Sequence, residues 1–215
     1  MDSRVNELQA LLLKKIKSGE GENLDFKFAI NDSRKLAITL SAFSNTSGGT
    51  LLIGVKDNGS IAGVNPEEEL HMVQGAAELY CSPPLQFTFQ VHVVNGKTIL
   101  ETNFGEAENK PVKAIENDSV MRAYERVGSE NRLASSVRVQ YWLTADNPKT
   151  GNYKHTAKSK KIFETLEINP GATLNQLCKS TKIYRPVLIK ILANLLRWEL
   201  IEIRYRQDKE HFFVR

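Results

Sequence analysis

The stretch Ser41-Ala42-Phe43-Ser44-Asn45-Thr46-Ser47-Gly48-Gly49-Thr50-Leu51-Leu52-Ile53-Gly54-Val55-Lys56-Asp57-Asn58-Gly59 decides the reading of the chain. Its first residues complete an apolar spacing (Leu36, Ile38, Leu40, Phe43) that predicts a helix, and Asn31, Asp32 and Ser33 supply N-cap chemistry. Gly48-Gly49 breaks that helix. Thr50 to Val55 is a continuous apolar run, read as a buried strand, and Asp57-Asn58-Gly59 is a turn.

Upstream, Val5, Leu8, Leu11, Leu12 and Ile16 predict an amphipathic helix over about 4–17, and Leu24, Phe26 and Phe28 alternate as in a half-buried strand. Downstream, Asn65-Pro66 opens a helix to about Tyr80, stopped by Ser82-Pro83-Pro84. Phe87, Phe89, Val91 and Val93 alternate, Asn95-Gly96 signals a type I′ turn, and Thr98 to Phe104 returns as the second arm of a hairpin. Short strands near Val112–Ile115 and Val120–Tyr124 follow, then a helix over Ser135–Leu143. Strands and helices mix without a βαβ alternation, so the expected class is α+β with a mixed or antiparallel sheet.

The 215 residues allow one or two domains. With 41% hydrophobic and 25% charged residues the chain is too apolar for a disordered one, and no apolar run is long enough to span a bilayer. Its charged N-terminus does not read as a secretory signal. Cys81 and Cys178 form neither a disulfide framework nor a cysteine zinc site, so a cytoplasmic protein with no membrane partner is expected. The net charge of +4 is unevenly shared: residues 1–148 hold 15 basic and 19 acidic groups, residues 149–215 hold 14 and 6. The expected organisation is a domain over 1–145, a linker over 146–156 and a small basic domain over 157–215, the last seeking a polyanion.

Three segments carry a resemblance. Gly19-Glu20-Gly21-Glu22-Asn23-Leu24-Asp25-Phe26-Lys27, the stretch quoted above, and Tyr124-Glu125-Arg126-Val127-Gly128-Ser129 with Ala134 together resemble the Schlafen AlbA-type domain over about residues 15–135. Asp25 replaces the usual Glu and Gly21 the usual Ser. The resemblance implies nucleic-acid binding. Some such domains are metal-dependent ribonucleases, and their acidic positions carry onto Glu20, Asp25 and Asp57, which as a catalytic triad would hold Mg²⁺ or Mn²⁺. Read from the residues alone, Glu20 and Asp25 are strand-edge acids and Asp57 makes an Asx turn. Ser47, Gly48 and Gly49 offer either amide groups to a phosphate or a helix end feeding a strand. Arg126 binds either phosphate or an acid of the first motif. Nothing fits a Walker motif, so ATP is unsupported and no cofactor is required.

In the tail, Lys158–Leu166 predicts a helix, Thr173 caps a short one with Leu174, Leu177 and Cys178, and a longer one runs from Arg185 to Trp198. Glu202–Tyr205 and His211–Val214 form a hairpin around Gln207-Asp208. This order looks like a winged helix-turn-helix, with Glu199 where such proteins often have Gly. The resemblance directs Tyr184, Arg185, Lys190 and Asn194 to the groove and Arg204 and Arg206 to phosphates. Ile189, Ile191 and Leu196 exceed one core stripe, through tighter packing or a dimer face. The chain therefore reads as a nucleic-acid-binding protein, a DNA-binding transcriptional regulator acting as a homodimer. The alternatives are a Schlafen-type endoribonuclease and a protein-docking adaptor.

Overall fold

A computed structural model of the chain describes residues 2–118 and 120–215, with side chains from Glu7 onward; Val5 and Ser119 lie outside what is described of side chains. Contacts divide the chain into two compact units, Met1–Ala134 and Ser135–Arg215. The charge split persists at that boundary, because Arg138 and Asp146 move together.

The first unit runs α1 (Asp2–Ser18), β1 (Leu24–Lys27), α2 (Ser33–Asn45), β2 (Gly49–Ile53), α3 (Pro66–Leu79), β3 (Cys81–Ser82), β4 (Phe87–Val94), β5 (Lys97–Phe104), β6 (Lys113–Asn117), β7 (Val120–Val127) and β8 (Glu130–Leu133). Asp32 is the N-cap of α2, its side chain accepting from the amides of Arg34 and Lys35; Asn65 caps α3 and Pro66 opens it. Thr46 and Gly48 both donate backbone bonds to Phe43, which turns the chain from α2 straight into β2. The strand ends sooner than the apolar run does. Gly54 has φ +98°, and Val55, whose amide donates to Lys27 O at 3.2 Å, makes an isolated bridge to Ile61.

Two sheets result. One has the order β1-β2-β5-β4, with β1 parallel to β2 and the rest antiparallel; the other has the order β3-β6-β7-β8 and is antiparallel. The mixed α+β class is therefore present. Pairing places alternate residues on opposite faces. Phe26, Leu52 and Ile99 pack under Leu12 and Ile16 of α1. Leu51, Ile53 and Leu100 pack with Leu36 and Leu40 of α2 and Val73 and Ala77 of α3, a core that also takes in Val112 and Ala114.

The second unit runs α4 (Ser136–Trp142), α5 (Ala157–Ile168), α6 (Leu174–Thr181), α7 (Arg185–Arg197), β9 (Ile201–Arg206) and β10 (Lys209–Val214). The sequence reading set α4 at the end of the first domain; it packs instead on α7, with Val137 buried in the core of this unit. That explains the surplus of Ile189, Ile191 and Leu196, all of which pack against the same core. Capping boxes open α5 (Thr156 with Ser159) and α6 (Thr173 with Gln176). Lys182 in the left-handed region ends α6, and β9 and β10 meet at a two-residue turn whose residues Gln207 and Asp208 both have positive φ. Ala172, between α5 and α6, bridges Phe212 of β10.

Candidate functional site

The first unit gathers its three motifs around Arg126. This residue sits on β7 with its side chain 1% exposed. Its Nη2 donates to Asp25 Oδ1 at 2.8 Å, its Nε to Gly21 O at 3.1 Å, and its Nη1 to Asn131 Oδ1 at 2.7 Å. The guanidinium also lies 5.1 Å from the centroid of the Phe43 ring, a cation–π distance. Its backbone amide donates to Thr46 Oγ1 at 2.9 Å. Arg126 thus joins β1, β7 and the end of α2. Of the two readings of Arg126, the ion pair with an acid of the first motif is the one observed, and phosphate has no access to this guanidinium.

The glycine pair is likewise occupied. The Gly48 amide donates to Phe43 O at 2.9 Å, and the Asn23 side chain donates to Ser47 Oγ and to Gly48 O, each at 2.9 Å. Gly48 has φ +74°, and a Cβ there would stand 2.5 Å from Phe104 O; one at Gly49 would stand 2.5 Å from the Phe43 ring. Close approach of α2 to the sheet requires both glycines. The helix-end reading of Ser47, Gly48 and Gly49 accounts for these contacts, and an amide nest has lost its Gly48 donor.

The three acids do not form a site. Glu20 Oε1 accepts from the Phe26 amide at 2.8 Å. Asp25 is 4% exposed and is engaged on both oxygens, by Arg126 and by Lys27. Asp57 is exposed on its turn. Glu20 opens on a cleft of about 340 Å³ with Lys15 and Asn23, Asp57 on another of about 460 Å³ with Lys17 and Phe26, and Asp25 lines neither. Among the described residues no three His, Cys, Asp or Glu side chains group as a metal ion would require. The residues therefore do not fit the Mg²⁺ or Mn²⁺ that the catalytic reading of Glu20, Asp25 and Asp57 needs. Glu20 and Asp57 open on separate clefts, and Asp25 is taken up by Arg126 and Lys27.

One polar cluster in this unit went unread in the sequence. Glu101 on β5 is 6% exposed; its Oε1 accepts from Lys15 Nζ at 2.5 Å and its Oε2 lies 2.8 Å from His92 Nε2. Burial pushes the Glu101 carboxyl up, but Lys15 and His92 outweigh it and hold the group below its ordinary range. The strand register that pairs His92 with Ile99 and Gln90 with Glu101 was the only available signal.

In the second unit, Tyr184 is the N-cap of α7, has no side-chain capping bond and is 74% exposed. Arg185 is exposed and donates to Asn175 Oδ1 of α6 at 2.6 Å, and Lys190, five residues further, is exposed too. Lys182, overlooked in the sequence, stands exposed in the turn before them. Asn194 differs. It is half-buried, and its Oδ1 accepts from Arg197, whose Nη1 donates to Asn147 O. The segment after α4 is therefore held against the C-terminal half of α7, which leaves the free face at Tyr184, Arg185 and Lys190. On β9, Arg204 and Arg206 flank the Phe213 ring at 4.7 and 5.0 Å. Arg204 is also ion-paired with Glu202. Phe213 in turn lies against Gly171, where a Cβ would come within 2.7 Å of the ring.

An α+β unit whose three motifs meet at a buried Asp25–Arg126 pair, followed by a basic helical unit, defines the class. Residues 20–135 match the family described as Schlafen, AlbA_2. The chain belongs to that family. Solved structures similar to it include the DIP2311 protein from Corynebacterium diphtheriae, at 18% identity, a TM-score of 0.46, and coverage of 83% of this chain and 37% of that one. Another is the N-terminal domain of a RecG-related protein from Nitrosomonas europaea, at 22% identity, a TM-score of 0.42, and coverage of 67% and 95%. The chain thus spans little more than a third of the DIP2311 protein. No curated protein sequence matches it. Among the described residues no helix is long and apolar enough to cross a membrane.

Proposed function

We propose that the protein binds double-stranded nucleic acid, as a DNA-binding transcriptional regulator, through residues 157–215 acting as a winged helix-turn-helix. The observation that carries this reading is the bare N-terminal end of α7. Tyr184, Arg185 and Lys190 project from it with Lys182 just before, on the unit that carries the basic excess. The order α5, α6, tight turn, α7 and hairpin supports it, as does the bridge from Ala172 to β10. In this reading the first turns of α7 enter the major groove. Arg185 meets base edges, Lys182 and Lys190 meet phosphates, and the β9–β10 hairpin meets the flanking backbone. The family match of the first unit and its resemblance to nucleic-acid-binding domains agree with such a partner.

The test is fluorescence anisotropy with a labelled duplex across a salt series. The full chain should bind with an affinity that falls steeply with salt, and Arg185→Ala with Lys190→Ala should weaken binding by roughly one to two orders of magnitude, with a shallower salt slope. Binding unchanged in the double variant overturns the proposed groove contact.

A further inference from the structure

We infer that a second copy of this chain docks along the free edge of β4, so that the two β1-β2-β5-β4 sheets join into one across a two-fold axis. This does not rest on the nucleic-acid reading, which concerns the other unit. Among the described residues no strand pairs with β4 on the side away from β5. The other sheet edges of the first unit are short or charged: β1 has four residues with Asp25 and Lys27, β8 has four with Glu130 and Arg132, and β3 has two. β4 has eight residues, Phe-Thr-Phe-Gln-Val-His-Val-Val, with no acidic or basic residue other than His92, no proline and no break in its register with β5. It lacks the devices that protect an edge strand from pairing.

The edge is self-complementary. Asn95 and Gly96 both have positive φ and form a two-residue turn, so Val94 and Lys97 are a hydrogen-bonded pair and alternate residues follow. Gln90 and His92 therefore direct their backbone groups to β5, whereas Phe89, Val91 and Val93 direct theirs outward. Their side chains share the face of Leu100 and Thr102, beyond the cover of the helices there, and are 52%, 45% and 64% exposed. An antiparallel copy centred on Val91 opposes Val91 to its own equivalent and Phe89 to Val93. Each is a hydrogen-bonded pair, and the flanking pairs are aromatic with β-branched, a favourable cross-strand combination. On the opposite face, Gln90 opposes His92, and Leu8 and Leu11 of α1, 42% and 58% exposed, line the cleft above them. No like charges meet in this register, and apolar side chains stand beside the edge on both faces. A two-fold interface needs that self-match.

The experiment is light scattering after size exclusion, over a concentration series of the full chain and two variants. The wild type should give twice the chain mass. Val91→Lys puts a charge on the axis, and Val91→Pro removes only an outward amide, leaving the β4–β5 ladder whole; both should run as monomers with an unchanged circular dichroism spectrum. Cysteine trapping covers the case in which either variant misfolds. In a Cys178→Ser background, Val91→Cys should crosslink to its equivalent on oxidation, since hydrogen-bonded antiparallel Cα atoms lie about 5.5 Å apart, within disulfide reach. A wild type that stays monomeric, a Val91→Lys dimer as stable as the wild type, or no Val91→Cys crosslink overturns the inference.

Discussion

Arg126 and Asp25, 101 positions apart in the chain, meet at 2.8 Å with both side chains out of solvent. The pair joins the first and last motifs of the Schlafen, AlbA_2 match, and it shapes both the fold and the fate of the acidic cluster. Removing one member leaves the other charge buried with weaker support, Asp25 with the partly exposed Lys27 and Arg126 with the neutral acceptors of Gly21 and Asn131. Such a loss costs about 3–5 kcal/mol in general. Arg126→Met should therefore lower the urea midpoint of the first unit sharply, and Asp25→Asn should cost less because Arg126 keeps Gly21 and Asn131. A double-mutant cycle should show strong coupling; additive effects would mean that the two charges act independently.

The end of α7 supports a prediction of opposite sign. Glu199 has φ +57°, its amide donates to Leu196 O at 2.9 Å, and the Leu200 amide donates to Leu195 O at 3.0 Å. These two bonds form a Schellman motif, whose left-handed residue is usually glycine. Glu199 pairs only at the surface, with Lys149 at 3.6 Å and Arg215 at 3.4 Å, and exposed pairs of that kind contribute little. Glu199→Gly should thus raise stability, by about 1 kcal/mol, because the left-handed conformation costs a residue with a Cβ about that much. Thermal unfolding that shows a lower midpoint for Glu199→Gly would contradict it.

The contrast between these two sites shows what the sequence makes legible. Glu199 stands where the winged-helix resemblance expects glycine, and the helix end that makes it a glycine site is local chemistry. Asp32, Asn65, Thr173 and Asn95-Gly96 were legible as local chemistry, and all of them do their expected work, whereas Thr156, in the expected linker, caps α5. Arg126 could be narrowed only to two partners, because its choice depends on residues a hundred positions away. The acids carried over by resemblance failed as a cluster on a similar account: nothing in Glu20, Asp25 and Asp57 reports that Asp25 faces an arginine. The affiliation of α4 was also illegible, since an amphipathic helix does not state which unit it packs on. Asn194 was directed to the groove by the winged-helix resemblance, and the Asn147 carbonyl that holds its partner Arg197 lies fifty residues upstream of that arginine.

Glu101 and Glu69 make opposite predictions for pH. Lys15 and His92 hold the Glu101 carboxyl below its ordinary value of 4.5 despite burial. A depressed carboxyl contributes stability above its unfolded value and loses it as pH falls through the folded one. At neutral pH, Glu101→Gln should cost about 1–2 kcal/mol, near the low end for charged hydrogen bonds because Lys15 is partly solvated, and the cost should shrink below pH 4.5. Burial raises Glu69, outweighing the bond it accepts from the Ile30 amide. Its contribution is present at low pH and lost as pH rises through the raised value. Glu69→Gln should therefore compare better with the wild type at pH 7 than at pH 4. Urea titrations of both variants across pH check the two signs; parallel profiles for wild type and variants would contradict both.

The last prediction separates the two arginines of the hairpin, which sequence reading treated alike. They are two residues apart on β9 and flank the same Phe213 ring, but Arg204 has a carboxylate partner in Glu202, whereas Arg206 is the last residue of the strand, next to the turn at Gln207. A cation already neutralised displaces fewer counterions when it meets a phosphate. Arg206→Ala should lower the slope of log affinity against log salt by about 0.9, the value for one lost contact on duplex DNA, and Arg204→Ala by clearly less. Glu202→Gln should have the reverse effect, since it frees Arg204 and removes a negative charge from the same face; its affinity should rise and its salt slope steepen. Anisotropy titrations of the three variants on one duplex decide the matter. Equal slopes for Arg204→Ala and Arg206→Ala, with no gain for Glu202→Gln, would show that the Glu202 pair does not govern how the hairpin meets the backbone.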